Sequence, residues 1–403
     1  MSFSKISLDD IQKASQCLHG VVLRTPILFS RSISELLDTE VYLKLENKQV
    51  TGSFKARGAY NKISSLSDEQ RKMGVIASSA GNHAQGVAFA AGKFGIQAHI
   101  VMPRHASLVK VTATESYGAQ VHLMGDYYDD AYAYACQLAE EKKLVFVHPF
   151  NDPLIMAGQG TVGLELFEQI SGLDSVVVPI GGGGLISGVS TALKILNPKI
   201  KIYGVVSKNA SGMQYLYKGK SLSGLQTHAT IADGIAVKKP NEEIFKNYIQ
   251  PNVDEIISIS DDEAAESIVY LLEREKTMVE GSAAVVLSAA KKLKGRLGKK
   301  SALIMSGGNI DLNLVATIIE KGLSTAGRLS RVNVITADQP GILNQLTGII
   351  SAQEANILDV KHDRLSSNLQ IREARIEFLL ETRNKEHIQE IKKSFQAAGV
   401  VVV

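Results

Sequence analysis

The chain has 403 residues, 45% hydrophobic and 21% charged, with 44 basic and 41 acidic residues giving a net charge of +3. That length outgrows a single core and calls for two or three domains, while the balanced charge, with no arginine cluster interleaved with aromatics, argues against a nucleic-acid partner. Cys17 and Cys136 stand far apart, the start Met1-Ser2-Phe3-Ser4-Lys5 lacks a signal-peptide core, and no apolar run reaches membrane-span length, so the expectation is a cytoplasmic protein without disulfide, thiolate metal site or membrane partner.

Val41-Tyr42-Leu43-Lys44-Leu45-Glu46 alternates like a strand, and helical periodicity begins at Ala56. Between them, Thr51-Gly52-Ser53-Phe54-Lys55 holds a lysine behind a Gly-Ser turn. A lysine pinned at such a place can be oriented and desolvated, the condition for an amine that forms a Schiff base. Short apolar runs then alternate with amphipathic stretches. Strands are expected at 74–78, 97–102, 120–124, 144–147, 175–180, 201–206 and 302–305. Strands separated by helices imply doubly wound parallel sheets covered on both faces. Ligands in such sheets sit at the carboxyl ends of the strands, so the strand-end loops carry the first candidates.

Ser78-Ser79-Ala80-Gly81-Asn82-His83 follows one such strand and opens a helix. Small residues with free N–H groups there can hold a carboxylate, and Asn82 adds a neutral donor and acceptor; an ordinary helix cap is the competing reading. His83 on its own residue type is given no catalytic part. Gly181-Gly182-Gly183-Gly184 follows the strand at 175–180 and opens a helix at Leu185. Inward-turned N–H groups at a helix start favour a phosphate. Ser187 occupies the third position of a dinucleotide fingerprint, the next strand ends without the acid that would bind ribose, and Gly-Lys-Ser/Thr is missing, so a small monophosphate fits better. Ser306, in Met305-Ser306-Gly307-Gly308-Asn309, ends the last strand and reads equally as a cap or a ligand. Ile231-Ala232-Asp233-Gly234-Ile235 and Glu280-Gly281 carry no signal that singles them out. Nine histidines show no paired metal-ligand spacing.

Residues 322–328 are small and polar enough for a linker. Beyond them the rhythm becomes strand 329–337, helix 341–352, strands 356–362 and 372–380, helix 385–398 and strand 400–403, the βαββαβ order of ferredoxin-like domains. The expected division is thus 1–321, with a smaller subdomain inserted at about 50–150, then the linker, then 329–403.

Taken in order, these loops resemble the fold-type II pyridoxal-phosphate enzymes of the serine/threonine dehydratase family, over residues of roughly 5–320. The resemblance implies a Schiff base at Lys55, Phe54 packed beside the cofactor, Asn82 on its ring hydroxyl, Gly181, Gly182, Gly183, Gly184 and Leu185 on its phosphate, and Ser306 at its ring nitrogen. Ser79, Ala80, Gly81, Asn82 and His83 would receive the substrate carboxylate. The implied activity is a carbon–nitrogen lyase reaction, α,β-elimination from L-threonine to 2-oxobutanoate and ammonia, with L-serine a slower substrate. A serine cannot hold a proton on the ring nitrogen, and the weaker electron sink suits elimination better than a long-lived carbanion. Serine racemases of the family carry a second serine where Ala80 stands, and an acidic metal loop where Val206–Gly212 has no acid, so no metal site is carried over. Lys55-Ala56-Arg57-Gly58-Ala59 differs from the Lys-Asp-Arg usual in cysteine synthases. The C-terminal segment resembles an ACT domain, with Asp338-Gln339-Pro340-Gly341-Ile342-Leu343 where such domains often bind amino acids. Isoleucine or valine is the implied effector, a dimer or tetramer the implied assembly, and isoleucine biosynthesis the implied setting. Competing expectations are a serine or hydroxyaspartate dehydratase or racemase on the same scaffold, and a non-catalytic amino-acid sensor.

Overall fold

Residues 5–365 and 369–403 are described by the structure, a computed structural model. Two compact units divide between Asp311 and Leu312. The helix Leu312–Thr325 groups with the second unit, so the stretch 322–328 begins inside a helix rather than in open chain.

The first unit contains two sheets. One is four-stranded and wholly parallel, with Val75–Ser78 between Ala98–Met102 and Val145–Phe146, and Gln120–Leu123 at the edge. Val75–Ser78 and Ala98–Met102 are buried along their whole lengths, as expected of parallel strands covered on both faces. The other sheet has six strands in the order Ile27–Ser30, Glu40–Lys44, Lys300–Ile304, Ser175–Pro179, Lys201–Ser207, Glu255–Ile259. All its pairings are parallel except that of Ile27–Ser30 with Glu40–Lys44. That edge strand and Glu255–Ile259 are the two strands the sequence pattern did not reveal. Glu255–Ile259 has its apolar run broken by Ser258, and Ile27–Ser30 is an edge strand with Leu28 and Phe29 exposed, so burial imposes no pattern on it.

Glycine contacts fix the helices that carry the site. Helix Lys55–Ser64 crosses helix Pro153–Gln169 where Gly58 meets Gly158, and a Cβ on Gly158 would stand 2.6 Å from the Gly58 Cα. A side chain at either position would push the two backbones apart, and Lys55 with them.

In the second unit, a four-stranded antiparallel sheet orders as Asn356–Asp363, Glu373–Glu381, Leu329–Ala337, Val401–Val402. Helices Ile342–Ala352 and Lys385–Ala397 complete the βαββαβ order. Its core is Val332, Val334, Leu346, Ile376, Phe378, Ile391 and Phe395, with the two phenylalanine rings stacked 6.0 Å apart. Among the described residues no helix is long and apolar enough to cross a membrane.

Candidate active site

Lys55 is the first residue of its helix, and the turn before it is docked on the loop that follows the strand Lys300–Ile304. Phe54 N donates to the Ser306 carbonyl at 3.1 Å, Gly308 N donates to the Gly52 carbonyl at 2.9 Å, and Ser53 bridges Gly307. Gly52 sits at φ 70°, a left-handed conformation costly for other residues. A Cβ there would also lie 2.4 Å from Asn309 Oδ1. The lysine turn and the Ser306 loop, far apart in sequence, are therefore one rigid piece.

Lys55 Nζ donates to the Pro149 carbonyl at 2.9 Å and lies 5.3 Å from the centre of the Phe54 ring. Burial brings its pKa down to about 8, against the attraction of Glu280. The amine then gives up its proton far more readily near neutral pH than an ordinary lysine, as a nucleophile or base requires.

One cavity of about 860 Å³ gathers Phe54, Lys55, Ser79, Ala80, Gly81, Asn82, His83, Gly181, Gly182, Gly183, Gly184, Leu185 and Ser306. Gly183 is the cap of helix Gly184–Leu196, left-handed at φ 97°. A Cβ on Gly182 would stand 2.2 Å from the Phe150 ring, and one on Gly183 2.7 Å from Ile244 Cγ2. The turn admits no side chain, which leaves the N–H groups of a thirteen-residue helix facing the cavity as an anion cradle.

The orientation of Asn82 follows from its neighbours. A carbonyl only accepts, so the Asn309 nitrogen 2.9 Å from the Thr51 oxygen is a donor. The same nitrogen is 2.7 Å from Asn82 Oδ1, which therefore accepts. Asn82 Nδ2 then faces Glu280, 2.8 and 2.9 Å from its two oxygens. Both polar atoms of Asn82 are thus fixed at the cavity wall, the oxygen as an acceptor and the nitrogen as a donor. His83 turns its Nε2–H to the Val147 carbonyl at 2.8 Å, and burial brings its pKa down to about 3, so it stands as a neutral, structurally engaged imidazole.

The cavity also contains residues to which sequence reasoning gave no role. His148, Pro149 and Phe150 follow the strand Val145–Phe146; the same strand-end rule that marked the other loops would have marked this one. His148 Nδ1 accepts from the Asn151 N–H at 2.9 Å, which places its proton on Nε2, and burial, with Lys55 nearby, holds its pKa down at about 4. Glu280 is buried behind Asn82, and Asp233 and Lys110 pair at 2.8 Å by the mouth. Nothing local in sequence marks these, because each gains its meaning from residues distant along the chain.

Residues 19–307 match the family model of the pyridoxal-phosphate dependent enzymes. The chain belongs to that family. An L-threonine ammonia-lyase of Thermotoga maritima is 47% identical over 397 residues, covering 98% of this chain and 99% of its own. The catabolic L-threonine dehydratase TdcB of Staphylococcus aureus strain N315 is 44% identical over 328 residues, 80% of this chain and 94% of its own. Among solved structures, maize serine racemase superposes with a TM-score of 0.74 at 36% identity, covering 80% of this chain and 99% of that one.

The cavity fits pyridoxal phosphate on its own observations. It offers a desolvated amine, a glycine cradle closed to side chains, and Ser78 Oγ, a buried hydroxyl at the wall with no hydrogen-bond partner. As a member of the pyridoxal-phosphate dependent enzymes, the chain is an enzyme that uses this cofactor. Gly182→Ala is expected to weaken cofactor binding by about tenfold or more, since the added methyl must displace Phe150 or the turn, an overpacking that typically costs about 1–3 kcal/mol. Titration of the apoprotein with pyridoxal phosphate measures it, and an unchanged dissociation constant would remove the cradle from the phosphate site.

Proposed function

We propose that the protein is an L-threonine ammonia-lyase, forming 2-oxobutanoate and ammonia and acting more slowly on L-serine. The observation that supports this most is the 47% identity with the Thermotoga maritima L-threonine ammonia-lyase across nearly the full length of both chains. Bound pyridoxal phosphate supplies the electron sink that lets the proton on the substrate α-carbon leave. Lys55 would hold the cofactor, and its Nζ would serve as the base for the α-proton. The N–H groups of Gly181 to Leu185 would hold the phosphate, Asn82 would donate to the ring oxygen, Phe54 would pack beside the ring, and Ser306 would serve the ring nitrogen. The loop Ser79–His83 binds the substrate carboxylate through its backbone N–H groups, with Ala80 offering no side-chain proton to the opposite face of the α-carbon.

The decisive assay measures keto acid and residual amino acid, with chiral analysis, from L-threonine, L-serine and hydroxyaspartate. Threonine is expected to give the highest kcat/KM, with no D-amino acid accumulating. A preference for hydroxyaspartate, or D-serine as the main product from L-serine, would replace this reading with the lyase or racemase alternative.

The C-terminal unit is read as an ACT regulatory domain responding to isoleucine or valine, and the setting is read as isoleucine biosynthesis in the cytoplasm. Its βαββαβ order with an antiparallel sheet supports that reading. The Staphylococcus aureus relative aligns over 94% of its own length with 80% of this chain, so about a fifth of this chain lies outside that alignment. A chain ending at Thr325 is expected to keep threonine turnover within about threefold and to lose any isoleucine inhibition; inhibition unchanged in that shorter chain would place the effector elsewhere. The assembly is read as a homodimer or tetramer, supported by the open edge strand Ile27–Ser30 with Leu28 and Phe29 exposed.

A further inference from the structure

Of the carboxyl groups that line the cavity, Asp129, Asp233 and Glu280, only Glu280 is buried, and the reaction as described gives it no task. Glu280 caps helix Gly281–Lys292 and is buried. Ser282 Oγ donates to its Oε1 at 2.5 Å, and Asn82 Nδ2 faces both of its oxygens. Backbone closes on the same carboxyl group. A Cβ at Gly307, next to Ser306, would stand 2.6 Å from Oε1, and one at Gly234 would stand 3.3 Å from it. A buried carboxyl group held this closely is expensive unless it does something for its neighbours.

What it does is visible in the hydrogen bonds of Asn82. The Asn82 oxygen is held by Asn309 and its nitrogen by Glu280. Reversing the amide would set its oxygen against the carboxylate and its nitrogen against the Asn309 nitrogen, two repulsive pairs in a sheltered place. Both Glu280 oxygens lie against the one Asn82 nitrogen, at 2.8 and 2.9 Å, and an amide nitrogen has two hydrogens; if the two oxygens share one N–H, the second is left for a ligand at the cavity wall. We propose that Glu280 is a positioning residue, whose carboxylate grips Asn82 from behind and so aims the second amide N–H at the phenolic oxygen of bound pyridoxal phosphate. This rests on Asn82 being the ring-oxygen contact described under the proposed function.

The charge on Glu280 is set by what faces it. Burial, and next the Asp233 carboxylate, push its pKa up to about 7, against hydrogen bonds from Ser282 and Asn82 and the ammonium of Lys110. Lys55 faces it from the helix across the cavity. Glu280 thus changes charge in the neutral range. As pH falls through about 7 it takes up a proton, and its grip on the Asn82 N–H weakens from a charge-assisted bond to a neutral one.

The test uses the holoenzymes of wild type, Glu280→Gln, Glu280→Ala, Asn82→Ala and the double variant Glu280→Ala/Asn82→Ala. Three quantities are read: the cofactor dissociation constant, the visible absorption spectrum against pH, and kcat/KM. Glu280→Ala is expected to weaken cofactor binding about tenfold, the effect of losing a buried hydrogen bond to a charged group. That loss is expected to vanish in the Asn82→Ala background, because the two residues act as a unit. Glu280→Gln keeps an oxygen facing Asn82 and is expected to recover most of the binding, while losing the spectral change centred near pH 7. Additive losses in the double variant, or a wild-type pH dependence in Glu280→Gln, would overturn the proposal. Weakened binding in Asn82→Ala with normal binding in Glu280→Ala overturns it alone. Wild-type binding in Asn82→Ala overturns the Asn82 contact itself, and the proposal with it.

Discussion

Lys55→Ala is expected to lose threonine deamination by at least about 10³-fold while the protein stays folded. A positioned general base alone contributes roughly 10²–10⁴-fold, and this side chain is also read as the covalent anchor of the cofactor. The structure gives the variant a clear stability signature. The Lys55 amine makes one hydrogen bond, to the Pro149 carbonyl, and burial lowers its pKa from the usual lysine range to about 8. Between about pH 8 and 10.5 the unfolded chain holds a proton that the folded amine has released, so this group makes the wild-type apoprotein more stable as pH rises through that window. Below about pH 8 the full penalty for sheltering the charge applies. Removing the amine should abolish that slope and leave the melting temperature at neutral pH unchanged or slightly higher. Borohydride reduction followed by mass analysis reads the covalent attachment directly: wild-type protein gains the mass of the cofactor and the variant does not. Near-wild-type turnover by Lys55→Ala, or undiminished cofactor labelling, would remove Lys55 from the chemistry.

The contrast between what the sequence disclosed and what it withheld has a physical origin. The central parallel strands were legible because burial on both faces forces continuous apolar runs, as in Val75–Ser78 and Ser175–Pro179. The loops at Lys55, Asn82, Gly181 and Ser306 were legible because each follows a strand and carries small or glycine residues, and the fold brings all four to one cavity. Ile27–Ser30 was not, because three apolar residues on an antiparallel edge partly open to solvent carry no pattern that burial imposes. Helix Leu312–Thr325 overran the expected linker because Gly322 and Ser324 are tolerated within a helix whose buried contacts come from Val315 and Ile318. Glu280 was hidden for a different reason. A glutamate ahead of Gly281 is an unremarkable helix cap until Asn82, Asp233 and Gly307 arrive around it from three other parts of the chain.

The largest expected effect on stability comes from the residue two places after the lysine. Arg57 is 1% exposed, and its guanidinium meets Glu46 through Nε at 2.9 Å and Nη2 at 2.7 Å. It also meets Glu165 through Nη1 at 2.6 Å and Nη2 at 2.9 Å. Lys44, itself buried, completes a set of two cations and two anions by donating to Glu165 and to the Thr25 carbonyl. Burial alone would raise the Glu46 pKa, but Arg57 overcomes it and holds the carboxyl below its usual range. Arg57→Ala leaves Glu46 buried with Thr25 as its remaining close donor, and breaking a buried pair by removing one partner costs about 3–5 kcal/mol. The expected result is a fall of that size in urea unfolding of the apoprotein, with activity reduced because the same helix carries Lys55. Arg57→Lys should recover only part of it, since an ammonium cannot bind two carboxylates edge-on. If the cost is the orphaned charge, Arg57→Leu/Glu46→Leu should be less destabilised than Arg57→Leu alone, Lys44 and Glu165 still pairing beside it. The wild-type contribution of Glu46 is present above the usual glutamate pKa and is lost as pH falls through its depressed folded value, so the gap between wild type and Arg57→Ala should close in acid. A loss below about 1 kcal/mol at neutral pH, or a double variant worse than the single one, would show that this network does not hold the lysine-bearing helix in place.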